Sequence, residues 1–370
     1  MKIAIITPFP PFRGGISKYS YNLYKDLSKT NEVYVFNFTR QYPSLLFPGK
    51  TQYLDSYKNY KSSNVFRVLD SINPFTWKKT ADLIIQKKID KLIFRFWNPF
   101  FLPCYIYIIK YLRKKSNIKI FSICDNASQH ENFYFQKFLM KKFINSVDGV
   151  ITMSKNVKSQ ISIISKHPKI GVFHLPIIED FQKKNITKLK KYNLDKDKIT
   201  FLFFGLIREY KGIDVLLNAI NKIDNRKLKK TNFLIVGESY VNIDKYKKIL
   251  NEDRRRYVQW YNQFIPDQEV SSFFSLSDYV VLPYKKASQS GIIPMAYQFN
   301  RPVICSDVLG LKELINEDTG FIFKNENVND LKEIIEVCIE NEKEFTGFND
   351  MQKKMSTKIY TKNILNFINE

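Results

Sequence analysis

Four short segments of the chain set glycines, cations or polar clusters where an apolar run gives way to helical periodicity. The most basic is Phe203-Phe204-Gly205-Leu206-Ile207-Arg208-Glu209-Tyr210-Lys211-Gly212, followed by Ile213, Leu216, Leu217, Ile220 and Ile223 on one helical face. At a strand-to-helix junction Arg208 and Lys211 aim at phosphate oxygens. Charge-assisted hydrogen bonds and the positive end of the helix dipole both favour that use. The alternative is a pair of solvated cations. A second segment, Thr7-Pro8-Phe9-Pro10-Pro11-Phe12-Arg13-Gly14-Gly15-Ile16-Ser17, leads into a helix marked by Tyr19, Leu23 and Leu27. Gly14-Gly15 lets backbone come close to a ligand, and the first N–H groups of the helix are free to bind it. It is not the G-x-G-x-x-G dinucleotide fingerprint, and a tight turn without a ligand also fits.

The third segment runs from Leu282-Pro283-Tyr284 to Tyr297 and holds Ser288, Gln289, Ser290, Gly291 and Ile292. Pro294 suits the first turn of a helix, so the N–H groups at Ser290-Gly291 suit a diphosphate; Ser290 as an ordinary N-cap is the other reading. The fourth, Cys124-Asp125-Asn126-Ala127-Ser128-Gln129-His130-Glu131, is a polar cluster at a strand end. Of the three histidines, His130, His167 and His174, only His130 sits in such a cluster. With Asp125, Asn126 and Glu131 it is a candidate for binding a sugar or an acceptor hydroxyl, against a structural or simply exposed imidazole.

Open parallel sheets bind ligands at the carboxyl ends of their strands, so these segments need such sheets to carry them. The runs Lys2–Thr7, Val33–Phe38, Lys91–Phe96, Ile118–Cys124 and Gly149–Thr152 read as strands, as do Thr200–Phe204, Asn232–Val236, Tyr257–Trp260, Tyr279–Leu282 and Pro302–Cys305. Amphipathic helices alternate with them, the α/β pattern of parallel sheets covered on both faces. Two sets of strands predict two Rossmann-like, doubly wound domains. A charged stretch over 174–200 separates them, placing the domains at 1–180 and 181–350, and 351–370 reads as a final helix.

Lys plus Arg is 59 against 36 for Asp plus Glu, a net charge of +23. Such a field attracts nucleic acid, anionic membrane or phosphorylated substrates, although drift of surface positions to Lys gives the same excess. No RNP motif, zinc finger or dense basic helix is present, which sets nucleic acid aside. Cys104, Cys124, Cys305 and Cys338 form no C-x-x-C pair, against a disulfide framework or zinc site and in keeping with a reducing cytoplasm. The N-terminal apolar run is too short for a signal peptide, and Pro99, Pro103 and Lys110 interrupt Trp97–Leu112 short of the ~20 residues that span a bilayer. The aromatics and cations mixed between Trp97 and Lys115 suit an interfacial segment; a buried helix with a basic C-terminal cap is the alternative. A cytoplasmic protein, or one peripheral on the inner face of the cell membrane, is expected.

In this order the segments resemble glycosyltransferase family 4, the retaining group with the GT-B fold, over nearly the whole chain. Gly14-Gly15 resembles the family's N-terminal glycine loop. Phe204-Gly205 through Lys211-Gly212 resembles its "GxIRxYKG" diphosphate-binding segment. Phe264-Ile265-Pro266-Asp267 resembles the loop whose backbone reads the nucleobase. Ser277-Asp278 into Val281-Leu282-Pro283-Tyr284, and Arg301-Pro302-Val303-Ile304 with Leu311-Lys312-Glu313-Leu314, resemble two further family stretches. There are departures. The family's E-x7-E falls on Ala287 and Met295, within a segment that resembles a variant subgroup reading "SGVIPLAY". Asp125 stands where a related pattern has His, and Leu309 replaces the first glycine of a usual pair.

The resemblance implies two domains facing across a cleft, donor on the C-terminal one and acceptor on the N-terminal one, with the last helix crossing back. It implies transfer of a hexose, with retention, from a nucleotide diphosphate sugar to a hydroxyl, on a lipid-linked glycan of a bacterial cell surface. Arg208 and Lys211 would neutralise the leaving diphosphate, and His130 and Asp125 would face the sugar or acceptor. Gly14, Gly15, Gly205, Phe264, Ile265, Ser288, Gln289, Ser290, Gly291 and Ile292 would hold the donor, and Asn126 and Glu131 the acceptor. No metal or further cofactor is expected. The implied partners are the nucleotide sugar, a glycan or polyprenyl-diphosphate-linked acceptor, and an anionic membrane surface. Two rivals stay open: a GT-B protein without catalysis that holds a glycan, lipid or partner, and a GT-B epimerase that needs no acceptor.

Overall fold

The computed structural model describes residues 1–43, 51–54, 62–127, 134–166, 169–178, 194–195, 197–340 and 343–370. These form two compact units, Met1–Leu175 with Thr357–Glu370, and Pro176–Ser356. The first unit is built on strands β1 (Lys2–Ile6), β2 (Glu32–Arg40), β3 (Val65–Asp70), β4 (Lys91–Phe96), β5 (Lys119–Cys124), β6 (Gly149–Thr152) and β7 (Ile170–Val172). Their order is β3-β2-β1-β4-β5-β6-β7, every pair parallel. The inner strands read as continuous apolar runs because both of their faces are covered, as in Ile3–Ile6, which is at most 1% exposed. Helix α1 (Gly15–Leu27) follows β1; α2 (Pro74–Gln86), α3 (Leu102–Lys115), α4 (Tyr134–Ile144) and α5 (Lys155–Ile164) connect the strands from β3 to β7. The last four pack in a row, α2 on α3, α3 on α4 and α4 on α5.

The second unit has β8 (Ile199–Phe204), β9 (Thr231–Val236), β10 (Val258–Tyr261), β11 (Tyr279–Leu282), β12 (Val303–Ser306) and β13 (Gly320–Phe323), in the order β10-β9-β8-β11-β12-β13. Its helices are α6 (Ile213–Lys222), α7 (Asn225–Leu228), α8 (Ile243–Lys247), α9 (Asp267–Leu276), α10 (Ile292–Gln298), α11 (Leu309–Lys312), α12 (Val328–Glu340) and α13 (Phe348–Lys354). The face that periodicity predicts for α6 is the one it buries: Ile213, Leu216, Leu217 and Ile220 are all inside. In each sheet the strand order reverses beside the first strand of the set, β1 between β2 and β4, and β8 between β9 and β11. Such switch points splay the loops above two neighbouring strands and leave a crevice at their carboxyl ends.

Three strands lack the sequence signal, β3, β7 and β13, and each is an edge strand. An edge strand meets solvent along one side, so its apolar run is broken: β3 includes Arg67 and Asp70, and β7 and β13 include glycines. The final helix predicted over 351–370 is two helices. The Met355 carbonyl accepts from Ile177 N at 2.7 Å, after which α14 (Thr357–Asn369) starts afresh. This last helix lies in the first unit, where Phe367 packs edge-on to Phe121 and Phe173 and α14 contacts α1. Within Trp97–Lys115, Phe101, Leu102, Cys104 and Tyr105 are fully buried, Lys110 is exposed, and Arg113, Lys114 and Lys115 lie in the last turn of α3. All four cysteines are buried free thiols. Among the described residues no helix is long and apolar enough to cross a membrane.

Candidate functional site

The crevice of the second unit opens between the carboxyl ends of β8 and β11. Beyond β8 the chain turns at Gly205, whose φ of 111° suits glycine. A Cβ there would lie 2.9 Å from the Lys211 Nζ, so the missing side chain is what lets the lysine fold back over the turn. Ile292 Cδ1 comes within 3.7 Å of the same point, which brings the start of α10 to the same place. Residues Glu209–Lys211 make one turn of 3-10 helix, and Gly212, with φ 66°, ends that turn and begins α6. A Cβ on Gly212 would meet the Pro283 carbonyl oxygen at 1.8 Å. The β8 turn is thereby pressed onto the loop beyond β11, and Lys285 N donates to the Tyr210 carbonyl at 2.8 Å to hold it there.

This packing leaves two cations without counter-ions among the described residues. Lys211 is 9% exposed, and among the described residues it has no carboxylate within ion-pair distance. Burial, and then the Arg208 charge, push its pKa down to about 7. A desolvated ammonium loses its hydration and gains no partner in return, so its neutral form is favoured until an anion arrives. The Tyr284 ring, 5.2 Å from Nζ, gives only a weak cation–π contact. Arg208 lies over the Tyr240 ring at 5.0 Å, and its buried Nε has no hydrogen-bond partner. Such an arrangement is costly for an empty site and well suited to an anion that supplies the missing acceptors.

The loop Ala287–Gly291 lies between β11 and α10. Ser290 is buried, and its Oγ accepts from Ile292 N at 3.2 Å. Gly291 holds the N-cap position of α10, so Ser290 ties down the start of that helix from one residue further back. Ser288 and Gln289 are half-buried in the same loop. Phe264 is partly exposed and Ile265 buried, both just beyond β10. Two strand spacings, roughly 10 Å, separate β10 from β8. Ala287 and Met295 are both half-buried. The chain's one Asp-x-Asp triplet, Asp195-Lys196-Asp197, precedes β8 at the amino end of the sheet, and Asp195 is paired with Lys198 there. Tyr240 carries no sequence signal, and Tyr284 only that of its segment; the turn beyond β8 is what brings cations over both rings.

The other predicted residues belong to the first unit. Gly14, with φ 108°, and Gly15 follow β1, and nothing lies within 4 Å of a Cβ built on either. The loop before them is fixed by Asn37, whose side chain accepts from Phe9 N at 3.1 Å and donates to the Phe9 and Pro10 carbonyls. Asp125, at the end of β5, does not hold its carboxylate out for a ligand. Both oxygens receive 2.7 Å hydrogen bonds from Arg95 on β4, and the two side chains are 6% and 2% exposed. The charges of this pair act on Tyr19 of α1 and Tyr360 of α14, whose phenols burial raises. Asn126 is half-buried and donates to the Trp97 carbonyl at 3.3 Å. His130 and Glu131 lie outside the described residues.

Two substitutions test how the loops are held. Gly212→Val is expected to destabilise the protein by about 3 kcal/mol or more, because backbone and not a flexible side chain must move. Gly15→Ala, into open space, should stay within about 0.5 kcal/mol. Urea unfolding of both variants checks the contrast.

Residues 184–361 match the family "Glycosyl transferases group 1". A Klebsiella pneumoniae protein described as an uncharacterized 41.2 kDa protein in the cps region is 31% identical over 177 residues, covering 47% of this chain and 46% of that one. An uncharacterized glycosyltransferase of Methanocaldococcus jannaschii is 26% identical over 226 residues, 60% of this chain and 58% of the relative. The chain thus spans about half the length of these curated relatives. The Anabaena protein HepE, solved in complex with UDP, superposes with a TM-score of 0.76 at 15% identity, covering 100% of both chains. The two parallel-sheet units are those of the GT-B glycosyltransferase fold, and residues 184–361, just under half of the chain, are where it matches the group 1 glycosyl transferases.

Proposed function

We propose that this protein transfers a hexose, with retention, from a nucleotide diphosphate sugar to a hydroxyl of a lipid-linked cell-surface glycan intermediate. The observation that carries the reading is Lys211, a buried ammonium with no carboxylate within ion-pair distance among the described residues, set beside Arg208 at the switch point of the second sheet. When the sugar–phosphate bond breaks, negative charge grows on the leaving diphosphate. Two preorganised cations in a site of low dielectric stabilise that charge more than they stabilise the bound donor, which is the requirement for catalysis. These cations do the work that other enzymes give to a divalent ion, so metal independence is part of the proposal; turnover that chelation abolishes argues against it. Gly205, Ser288, Gln289, Ser290, Gly291 and Ile292 would line the diphosphate and sugar, and Phe264 and Ile265 the base. Gly14 and Gly15 would also serve the donor, Asn126 and Glu131 the acceptor, and His130 the sugar or acceptor, while Asp125 holds the end of β5 through Arg95. A bound nucleotide in HepE and a relative in a cps region support a nucleotide donor and a surface-polysaccharide product.

A second reading, binding without transfer, has its own support: the positions matching the family's two glutamates are Ala287 and Met295. A thermal-shift screen against UDP-, GDP-, dTDP- and CDP-sugars comes first. A donor at 100 times its dissociation constant adds ~2.7 kcal/mol to stability, which a melting curve resolves. No shift with any of the four on folded protein argues against both a donor site and transfer. A shift without donor hydrolysis or transfer selects the second reading.

Binding should also take up a proton. Burial and the Arg208 charge hold the Lys211 pKa at about 7, and a bound diphosphate would raise it. The complex then binds more protons than the free protein, so affinity falls as pH rises above 7, by up to about tenfold per unit. Calorimetry of a UDP-sugar at pH 8 in buffers of different ionisation enthalpy should find an uptake close to one proton. An uptake of zero removes Lys211 from the site.

A further inference from the structure

Three neighbouring helices of the first unit carry cations and no acids. The helices α3, α4 and α5, with sequences LPCYIYIIKYLRKK, YFQKFLMKKFI and KNVKSQISII, hold nine Lys or Arg and no Asp or Glu. They are consecutive neighbours on the sheet. Asp148, which follows α4, pairs with Arg113, and Lys110, Lys141 and Lys142 have no acid partner among the described residues. Lys110 of α3 and Lys142 of α4 stand close enough that each repels the other's charge, which pulls the Lys110 pKa down. A fold gains nothing from that contact, whereas an external anion relieves it. Apolar side chains stand out among these cations. Phe138 of α4 is 60% exposed with Lys142 5.8 Å from its ring, and Ile163 of α5 is 86% exposed. Phosphate groups alone do not reward an exposed phenyl ring or a bare isoleucine; the headgroup boundary of a bilayer takes up both cations and apolar side chains.

We propose that the α3–α4–α5 face of the first unit docks on a bilayer rich in anionic lipid, with Phe138 and Ile163 entering the headgroup boundary. The surface lies apart from the cation pair of the second unit in sequence and chemistry. It extends the lipid-linked acceptor of the reading above, but its test needs neither donor nor acceptor. A failed nucleotide screen leaves the surface standing, and a failed vesicle assay leaves glycosyl transfer standing.

The experiment is co-sedimentation of the full chain with vesicles of phosphatidylcholine, with and without phosphatidylglycerol. Wild type should bind only the anionic vesicles, and less as salt rises. The double variant Lys110→Glu, Lys142→Glu should lose roughly tenfold or more in partitioning. Lys245→Glu with Lys248→Glu, an equal change of net charge at α8 of the second unit, should stay within about twofold. Phe138→Ser should weaken the part of binding that survives high salt. Melting curves on each variant keep loss of binding apart from loss of folding. Equal binding to neutral vesicles overturns the proposal. So does an equal loss in the α8 variant, which assigns the effect to net charge. Duplex DNA that binds as tightly as vesicles, with Phe138→Ser neutral towards both, also overturns it and makes the face a general polyanion surface.

Discussion

Arg208→Ala and Lys211→Ala are each expected to lower kcat for transfer from the matching nucleotide sugar by about 10²- to 10³-fold, the usual cost of deleting one group that stabilises charge in the transition state. The double variant should fall by less than the product of the two, because both cations meet the same diphosphate. The effect should lie mainly in kcat, since the charge to be met is larger in the transition state than in the donor. Donor hydrolysis without acceptor is the simplest assay, and undiminished turnover in the double variant defeats the assignment. Lys211→Met adds a control against unfolding. Burial depresses its folded pKa to about 7 from the ordinary lysine value of 10.5, so the ammonium disfavours folding. That penalty is fully present below pH 7 and is relieved as pH rises from 7 towards 10.5, because the folded state gives up the proton first. Lys211→Met removes the penalty, so the variant should melt higher than wild type at pH 6 while losing turnover. An enzyme that gains stability as it loses activity was storing the cost of a prepared site.

Asp125→Ala should destabilise the first unit by about 3–5 kcal/mol, since it leaves the Arg95 guanidinium buried with no acid beside it. The double variant Arg95→Met, Asp125→Leu should recover most of that loss, because two apolar side chains of similar size need no solvation. Denaturant melts of the three proteins measure the contrast. The same set separates positioning from chemistry. A positioning role predicts that the double variant, once folded, keeps a substantial part of wild-type kcat. A catalytic carboxylate predicts that Asp125→Ala melts like wild type and loses turnover. The bidentate geometry favours the first outcome, since both carboxylate oxygens already take hydrogen bonds from Arg95.

The cation pair was legible in the sequence because its signal is local. Gly205, Arg208, Lys211 and Gly212 fall within one short strand-to-helix connection, and the apolar strand before it and the amphipathic helix after it mark where the connection lies. The same holds for the inner strands, whose burial on both faces writes an unbroken apolar run. Edge strands β3, β7 and β13 were not legible, since burial on fewer sides imposes less on their composition. Asp125 was read as a ligand-facing residue because its neighbours along the chain are polar. Its partner Arg95 lies thirty residues away on the next strand, and no local pattern reports a pairing across β4 and β5.

The sequence by itself determined the α/β class, the two sets of parallel strands, and the junctions at which ligands of such sheets bind. These follow from periodicity and from where glycines and cations sit relative to it. Only the tertiary structure decided that Lys211 is buried with no acid partner among the described residues, that Asp125 pairs with Arg95, and that the cation-bearing helices α3, α4 and α5 lie side by side. Each of those depends on which residues from distant parts of the chain come to lie side by side. A charge is made reactive, neutral or structural by its neighbours in space, and strand order, which the chain order does not state, chooses them.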